Sequence, residues 1–319
     1  MGTNRRRAGA PSSNFRLPGC RIAVKVSDTP EQAANACARD SALVRNALWI
    51  VLLVGLLPHA VGSALNIAYN RVNVLPLLSE AQHEVFETTW QVFNLTVYPL
   101  AFAVWGGVIL SLRPTVRRLL RGEQVPPAAL LRAQRLTLHL PWWAGGLGLV
   151  GWLVCVPVLL VRVAATGPLA AELYWHLPVS IVISGLVAVT HAWFGVEFAS
   201  QQLLYPVVFR DARPAATPGV WRLSLQFRGM LFVVSVGLCP IASLVLLAFA
   251  REKAGAGMAW FSLAVGSIGV AFGLITAWLV GKAVAEPVLA LRRAAERVAE
   301  GDLQVSVPLL RADDFGLLI

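Results

Sequence analysis

Residues 142–164 read WWAGGLGLVGWLVCVPVLLVRVA, with Arg162 near the end as the only charge. Crossing the roughly 30 Å of hydrocarbon in a bilayer takes about 20 apolar residues in a helix. Lipid offers no partner to a free amide or carbonyl, so such a run must bond its own backbone, which a helix does within one segment. The stretch therefore reads as a transmembrane helix. Working outward, five more runs meet the same test, at about 43–66, 90–112, 175–198, 229–250 and 259–281. Pro58, Pro99, Pro157, Pro178 and Pro240 fall inside these runs, which membrane helices tolerate where neighbours satisfy the freed carbonyls. Tyr98, Trp142, Trp143, Trp175, Trp260 and Trp278 stand near the run ends, where amphipathic rings sit at a membrane interface.

Composition agrees. The 319 residues are 57% apolar and 14% charged, with mean hydropathy +0.66, whereas soluble domains carry about 25% charged residues. The expected fold class is an all-α membrane protein with six transmembrane helices. A net charge of +10 would suit a nucleic-acid binder, but its distribution decides otherwise. All but four of the 27 Lys and Arg (Arg71, Arg162, Arg251 and Lys253) lie before or at the very start of the first run, between the second and third, between the fourth and fifth, or after the sixth. Basic residues stay on the cytoplasmic side, so both termini are expected there. The expected partner is the lipid bilayer, and no nucleic-acid signature is present.

Four domains follow: a disordered basic cytoplasmic tail over 1–28, a cytoplasmic helix over 29–42, a six-helix transmembrane domain over 43–281, and a signalling module over 282–319. Thr29-Pro30-Glu31-Gln32 reads as the start of that cytoplasmic helix, with a capping Thr, Pro at the first helical position and Gln three on from the cap. The outer segment 67–89 could hold a short helix capping the outer face. Arg135-Leu136-Thr137-Leu138 and Arg222-Leu223-Ser224-Leu225 echo one another ahead of odd-numbered runs. They fit three repeated hairpins, and equally the bare rule that basic residues precede a helix anchored from inside.

The last stretch carries the functional signal. After Lys282 and Glu286-Pro287, the residues Val288, Leu291, Ala295 and Val298 recur at steps of three and four. Such steps keep one apolar stripe facing a partner helix. Arg292, Arg293, Glu296, Arg297 and Glu300 lie outside the seam, and Gly301 ends it as a left-handed cap. Asp302-Leu303-Gln304-Val305-Ser306-Val307-Pro308 follows as an extended connector, and Asp313-Asp314-Phe315-Gly316-Leu317-Leu318 begins a second helix.

This order of features resembles the HAMP linker. Pro287, Val288, Leu291, Ala295, Val298, Gly301, Asp302, Leu303, Asp313, Gly316 and Leu318 stand where that family has its opening Pro, seam, Gly-Asp-Leu and Asp-Glu-x-Gly-x-Leu elements. Asp314 stands where Glu is usual. The pattern stops at Ile319 with most of its second helix still to come, so the module reads as incomplete and the residues past Gly301 as short of packing partners. The resemblance implies a parallel homodimer through the module. Gly269, Gly273, Ala277 and Gly281 form a small-residue stripe suited to close packing in the membrane, against a second copy or against helix one or five.

Six short-looped helices feeding a HAMP module look like the membrane anchor of one group of bacterial class III adenylate cyclases. That resemblance implies a multi-pass protein of the bacterial plasma membrane, acting as input and relay for cyclic AMP signalling. The catalytic output domain is then expected downstream or in trans. A sensor histidine kinase input region is the alternative output, and a small transporter or channel the alternative class. A stand-alone scaffold pairing with another HAMP protein is a third. The chain itself shows no catalytic set, and no cofactor or metal site is expected. Cys20, Cys37, Cys155 and Cys239 have no paired spacing. His59, His139, His176 and His191 are expected to bond backbone carbonyls. Glu197, near the inner end of the fourth run, is expected to pair with Arg228 or Arg113.

Overall fold

The computed structural model of the protein describes residues 42, 44–210, 212–221, 224–238, 257–305, 307, 311 and 313–318. The chain divides into two compact units, Met1–Ala47 and Leu48–Ile319, and the second carries the architecture. The expected tail and cytoplasmic helix lie outside the described residues, apart from Ala42.

The described residues are helical throughout, with no strand. The long helices are α1 (Ala47–Asn73), α2 (Glu80–Ser111), α4 (Pro127–Ala164), α5 (Leu173–Ala199) and α8 (Gly257–Ala299). Short ones are α3 (Arg113–Leu120), α6 (Tyr205–Val208), α7 (Leu225–Phe232) and α9 (Asp314–Leu318). Among the described residues four helical stretches are long and apolar enough to cross a membrane: Ala47–Leu77, Glu80–Leu120, Pro127–Ala164 and Leu173–Val208. These correspond to the first four expected runs. Part of the fifth run, 239–250, lies outside the described residues, and the sixth lies within α8.

The helices outrun their apolar cores. At 1.5 Å per residue, the 38 residues of α4 span about 57 Å, so its first turns stand beyond the hydrocarbon. Pro127 occupies the first helical position, where a missing N–H costs nothing. The loop between α1 and α2 is shorter than expected because α2 begins ten residues before the apolar run. Ser79 Oγ accepts from the Gln82 N–H at 3.4 Å and Gln82 Oε1 accepts from the Ser79 N–H at 3.1 Å, a reciprocal capping box. Gln82 Nε2 also donates to the Pro168 carbonyl at 3.1 Å, tying this start to the loop between α4 and α5. A short 3-10 turn, Leu75–Leu77, replaces the helix expected over the outer face.

Close packing joins α4 to α5 and, less extensively, to α2, and α1 meets them through Gly55 against Trp105, Gly62 against Ala188 and Asn66 against Ser180. Where α1 turns into α2 and α4 into α5, Val74, Phe86, Leu159, Val163, Leu173, Leu177 and Ile181 form a buried apolar cluster. Elsewhere large apolar side chains point outward, among them Leu57 (65% exposed), Leu95 (76%) and Val161 (67%). That pattern fits helices whose solvent is hydrocarbon.

The tail differs from expectation at two points. Pro287 opens no new helix: α8 runs unbroken from Gly257 to Ala299. Gly301 does end it, at φ +92°. The Gly301 N–H bonds the Val298 carbonyl and the Asp302 N–H that of Arg297, the paired closure that follows a left-handed cap. Beyond it, Arg311 and Asp313 are buried, so residues expected to have lost their partners hold one inside the same chain.

A buried ion cluster as candidate functional site

The C-terminal end of α5 does not stop cleanly. After Ala199 the helix widens into a π-turn over Ser200–Leu204 before α6, and a second π-turn, Val233–Leu238, follows α7. Such turns insert an extra residue and re-aim neighbouring side chains, often at functional sites.

Between these turns lies the densest charge in the described fold. Arg228, on α7, pairs with Glu197 of α5 through Nη2 and with Asp313 Oδ2 through Nη1 at 2.9 Å. Arg311 pairs with the same Asp313 carboxylate, its Nε donating at 3.0 and 3.1 Å. Asp313 caps α9, its Oδ1 accepting from the Gly316 N–H at 3.2 Å. All four side chains are nearly inaccessible. Trp193 lies 6.0 Å from the Arg228 guanidinium carbon, and Gln201 Nε2 donates to Glu197 at 3.3 Å. Among the described residues, nothing hydrogen-bonds the buried Arg228 Nε and Ser200 Oγ.

Asp314 turns the other way. Its Oδ2 accepts from the Leu225 N–H at 2.9 Å, placing a carboxylate at the start of α7, where Ser224 is the cap. Negative charge there meets the positive end of the helix dipole. Gly316 is required by space: a Cβ on it would stand 2.3 Å from the Arg311 carbonyl oxygen and 3.2 Å from Ala215 Cβ. The cluster therefore fastens α9 to α5, to α7 and to the Pro214–Ala216 turn.

Burial pushes the Asp313 carboxyl up. The Arg311 hydrogen bonds, the Arg311 and Arg228 charges and the Gly316 N–H outweigh it and hold the group below its ordinary value. One aspartate thus stays ionised because two arginines surround it.

Glu197 meets Arg228, one of the two partners expected for it. Of the motif residues, Asp313 and Gly316 join this cluster, and Asp314 bonds the start of α7 beside it. Val288 (49% exposed), Ala295 and Val298 (45%) face outward, Leu291 is half-buried, and Leu303 and Leu318 are exposed. Pro287 is buried, and Asp302 pairs with Arg297. On the small-residue stripe Ala277 is exposed, Gly273 half-buried, and a Cβ on Gly281 would meet nothing within 4 Å. The middle of α8 is held instead by Lys282, whose Nζ lies 5.3 Å from the Phe198 and Trp278 rings.

The histidines divide. His139 and His191 donate through Nδ1 to the carbonyls of Arg135 and Val187, as expected. His59 instead accepts from Trp152 Nε1 at 3.1 Å, and His176 pairs with Tyr69 at 3.0 Å. Sequence reading missed Arg311, which belongs to no motif. It also missed Asn66, Asn70 and Ser180, a buried amide–hydroxyl set closed at 2.9, 3.2 and 3.4 Å. Asn66, Asn70 and Asn73 at helical spacing in and just beyond an apolar run were the available signal. Among the described residues no three His, Cys, Asp or Glu converge as metal ligands would.

No protein family model, no curated protein and no solved structure matches this chain.

Proposed function

We propose that the chain is the membrane input and relay portion of a bacterial receptor in the plasma membrane, crossing it six times with both termini cytoplasmic. Its tail acts as a HAMP-like relay, and the downstream or partner output is an adenylate cyclase-type domain. The observation that carries the reading is Arg228, which holds an acid of a membrane helix, Glu197, and an acid of the tail, Asp313, in one buried cluster.

The relay takes the tail to have two states, docked on this cluster and released from it. Separating a buried pair leaves an uncompensated charge, at about 3–5 kcal/mol. A shift of α5 against α7 must therefore either carry α9 along or release it. A bias of about 5.5 kcal/mol moves a two-state equilibrium from 1:99 to 99:1, so the two magnitudes match. In the docked state the Val288–Val298 seam faces outward on a single chain, and release frees α9 to join the seam in a homodimer.

The test fuses a class III cyclase catalytic domain after Ile319 and compares cyclic AMP output at equal protein level. Arg228→Ala and Gly316→Ala are expected to shift output in the same direction, and Ala295→Leu to alter it through the bundle axis. Wild-type output from all three would overturn the relay. A histidine kinase domain in the same position tests the alternative output. One observation favours the transporter class instead, the buried Asn66, Asn70 and Ser180 set. Solute flux in proteoliposomes without any output domain would decide for it.

A further inference from the structure

Between α1, α2 and α4 lies a cavity of about 300 Å³, at the lower end of the range for small-molecule sites. It stands in the membrane-spanning part, apart from the ion cluster. Its walls are aromatic, with Trp90, Phe93, Phe102, Trp105 and Trp152, and no lining residue carries a formal charge. Phe102 is 51% exposed and Tyr98 38%, so the α2 wall of the cavity reaches the outer surface of the helices, where a lateral opening would face lipid.

Among the polar groups that line the cavity, which include Asn66, Asn94 and Cys155, two donors stand on or against α1. Trp152 Nε1 can only donate, so His59 Nδ1 must accept its 3.1 Å bond. The ring is then neutral with its proton on Nε2. Among the described residues nothing accepts from that Nε2–H. Gly148 makes room for the ring, since a Cβ there would stand 2.2 Å from His59 Cε1. The second donor is the Ser63–Tyr98 hydroxyl pair, which satisfies one O–H internally and leaves the other. His59 and Ser63 are one helical turn apart on α1, about 6 Å along the axis.

We infer that this cavity binds a neutral, lipid-soluble ligand with a flat carbonyl-bearing ring, of the quinone class. A charged headgroup would find no counterion. A saturated chain would leave both donors unpaired in a low-dielectric site, which is unfavourable. A quinone offers two acceptors across one ring and a face for the tryptophans, and its tail can leave through a lateral opening. The inference does not depend on the relay reading, because binding is measured without any output.

The test places the purified full chain in quinone-free phosphatidylcholine nanodiscs and titrates decylubiquinone, following tryptophan quenching. A saturable component is expected. His59→Leu should weaken it about tenfold, the usual scale for one lost hydrogen bond, and Ser63→Ala should weaken it less. Ala101→Phe, which fills the cavity, should abolish it. If that variant fails to fold, as judged by its circular dichroism, the other two decide. Quenching that rises linearly with quinone and is equal in every variant would mean bilayer partition only and would overturn the site. Displacement by equal decanol, which has a chain and a hydroxyl but no ring, would overturn the ligand class.

Discussion

Arg228 shows how one side chain can join segments far apart in sequence. Its two acids come from α5 and from the start of α9, and its own position is set by the start of α7. Arg228→Ala strands Glu197 and Asp313 without a cation and should destabilise the docked tail by about 3–5 kcal/mol. Amide exchange over 311–318 would report that loss, and unchanged protection would contradict the clamp. Arg228→Lys should recover only part, because one ammonium cannot bridge two carboxylates as a fork does. Acid should act through Asp313. Its folded-state value is depressed, so its contribution is fully present above the unfolded value of about 3.9 and fades as pH falls through the folded one. Protection of the Gly316 amide, corrected for intrinsic rate, should hold from pH 7 to about 5 and fall only in stronger acid. Loss near neutrality would point to another group.

At the scale of elements, glycines in the first membrane helices set the packing. A Cβ on Gly185 would lie 2.7 Å from Trp152 Cγ, and one on Gly195 would lie 2.8 Å from Val54 Cγ1. Gly185→Ala should therefore push Trp152 off α5 and cost about 1–3 kcal/mol as overpacking, read as a lower unfolding temperature in nanodiscs. An unchanged midpoint would show that the indole can shift freely. The stripe singled out in the sequence, Gly269 to Gly281, differs: no close approach is seen at Gly281 within one chain. Helix boundaries were less legible than helix existence. The start of α2 depends on a two-residue exchange between Ser79 and Gln82, outside the apolar run that announces the helix. Pro287 reads as a beginning yet sits within α8, because a proline removes one donor and its neighbours can carry the turn.

For the whole molecule, charge placement makes the testable claim. With the native cysteines replaced, Glu123→Cys should resist a membrane-impermeant maleimide in intact cells, and Glu84→Cys should react. The reverse pattern would invert the proposed orientation, since the basic loops would then face outward against the rule that retains them inside. The exposed seam makes a second claim at this scale. Cysteines at Val298 should cross-link two copies in membranes if the tail pairs in parallel, and remain monomeric if the docked state excludes pairing.

The sequence alone determined that this chain is helical and meets lipid, because runs of apolar residues long enough to cross hydrocarbon have one way to satisfy their backbone. It also placed the end of α8 at Gly301, since a left-handed cap is a property of one residue and its neighbours. It named Arg228 as one of two partners for Glu197 from charge and position. Only the tertiary structure decided that Asp313 and Arg311, more than eighty residues further along the chain, complete the same cluster. Local pattern reports what a segment does with its own backbone. Which buried charges meet depends on how segments far apart in sequence are folded together, and on the desolvation that makes an unpaired one intolerable.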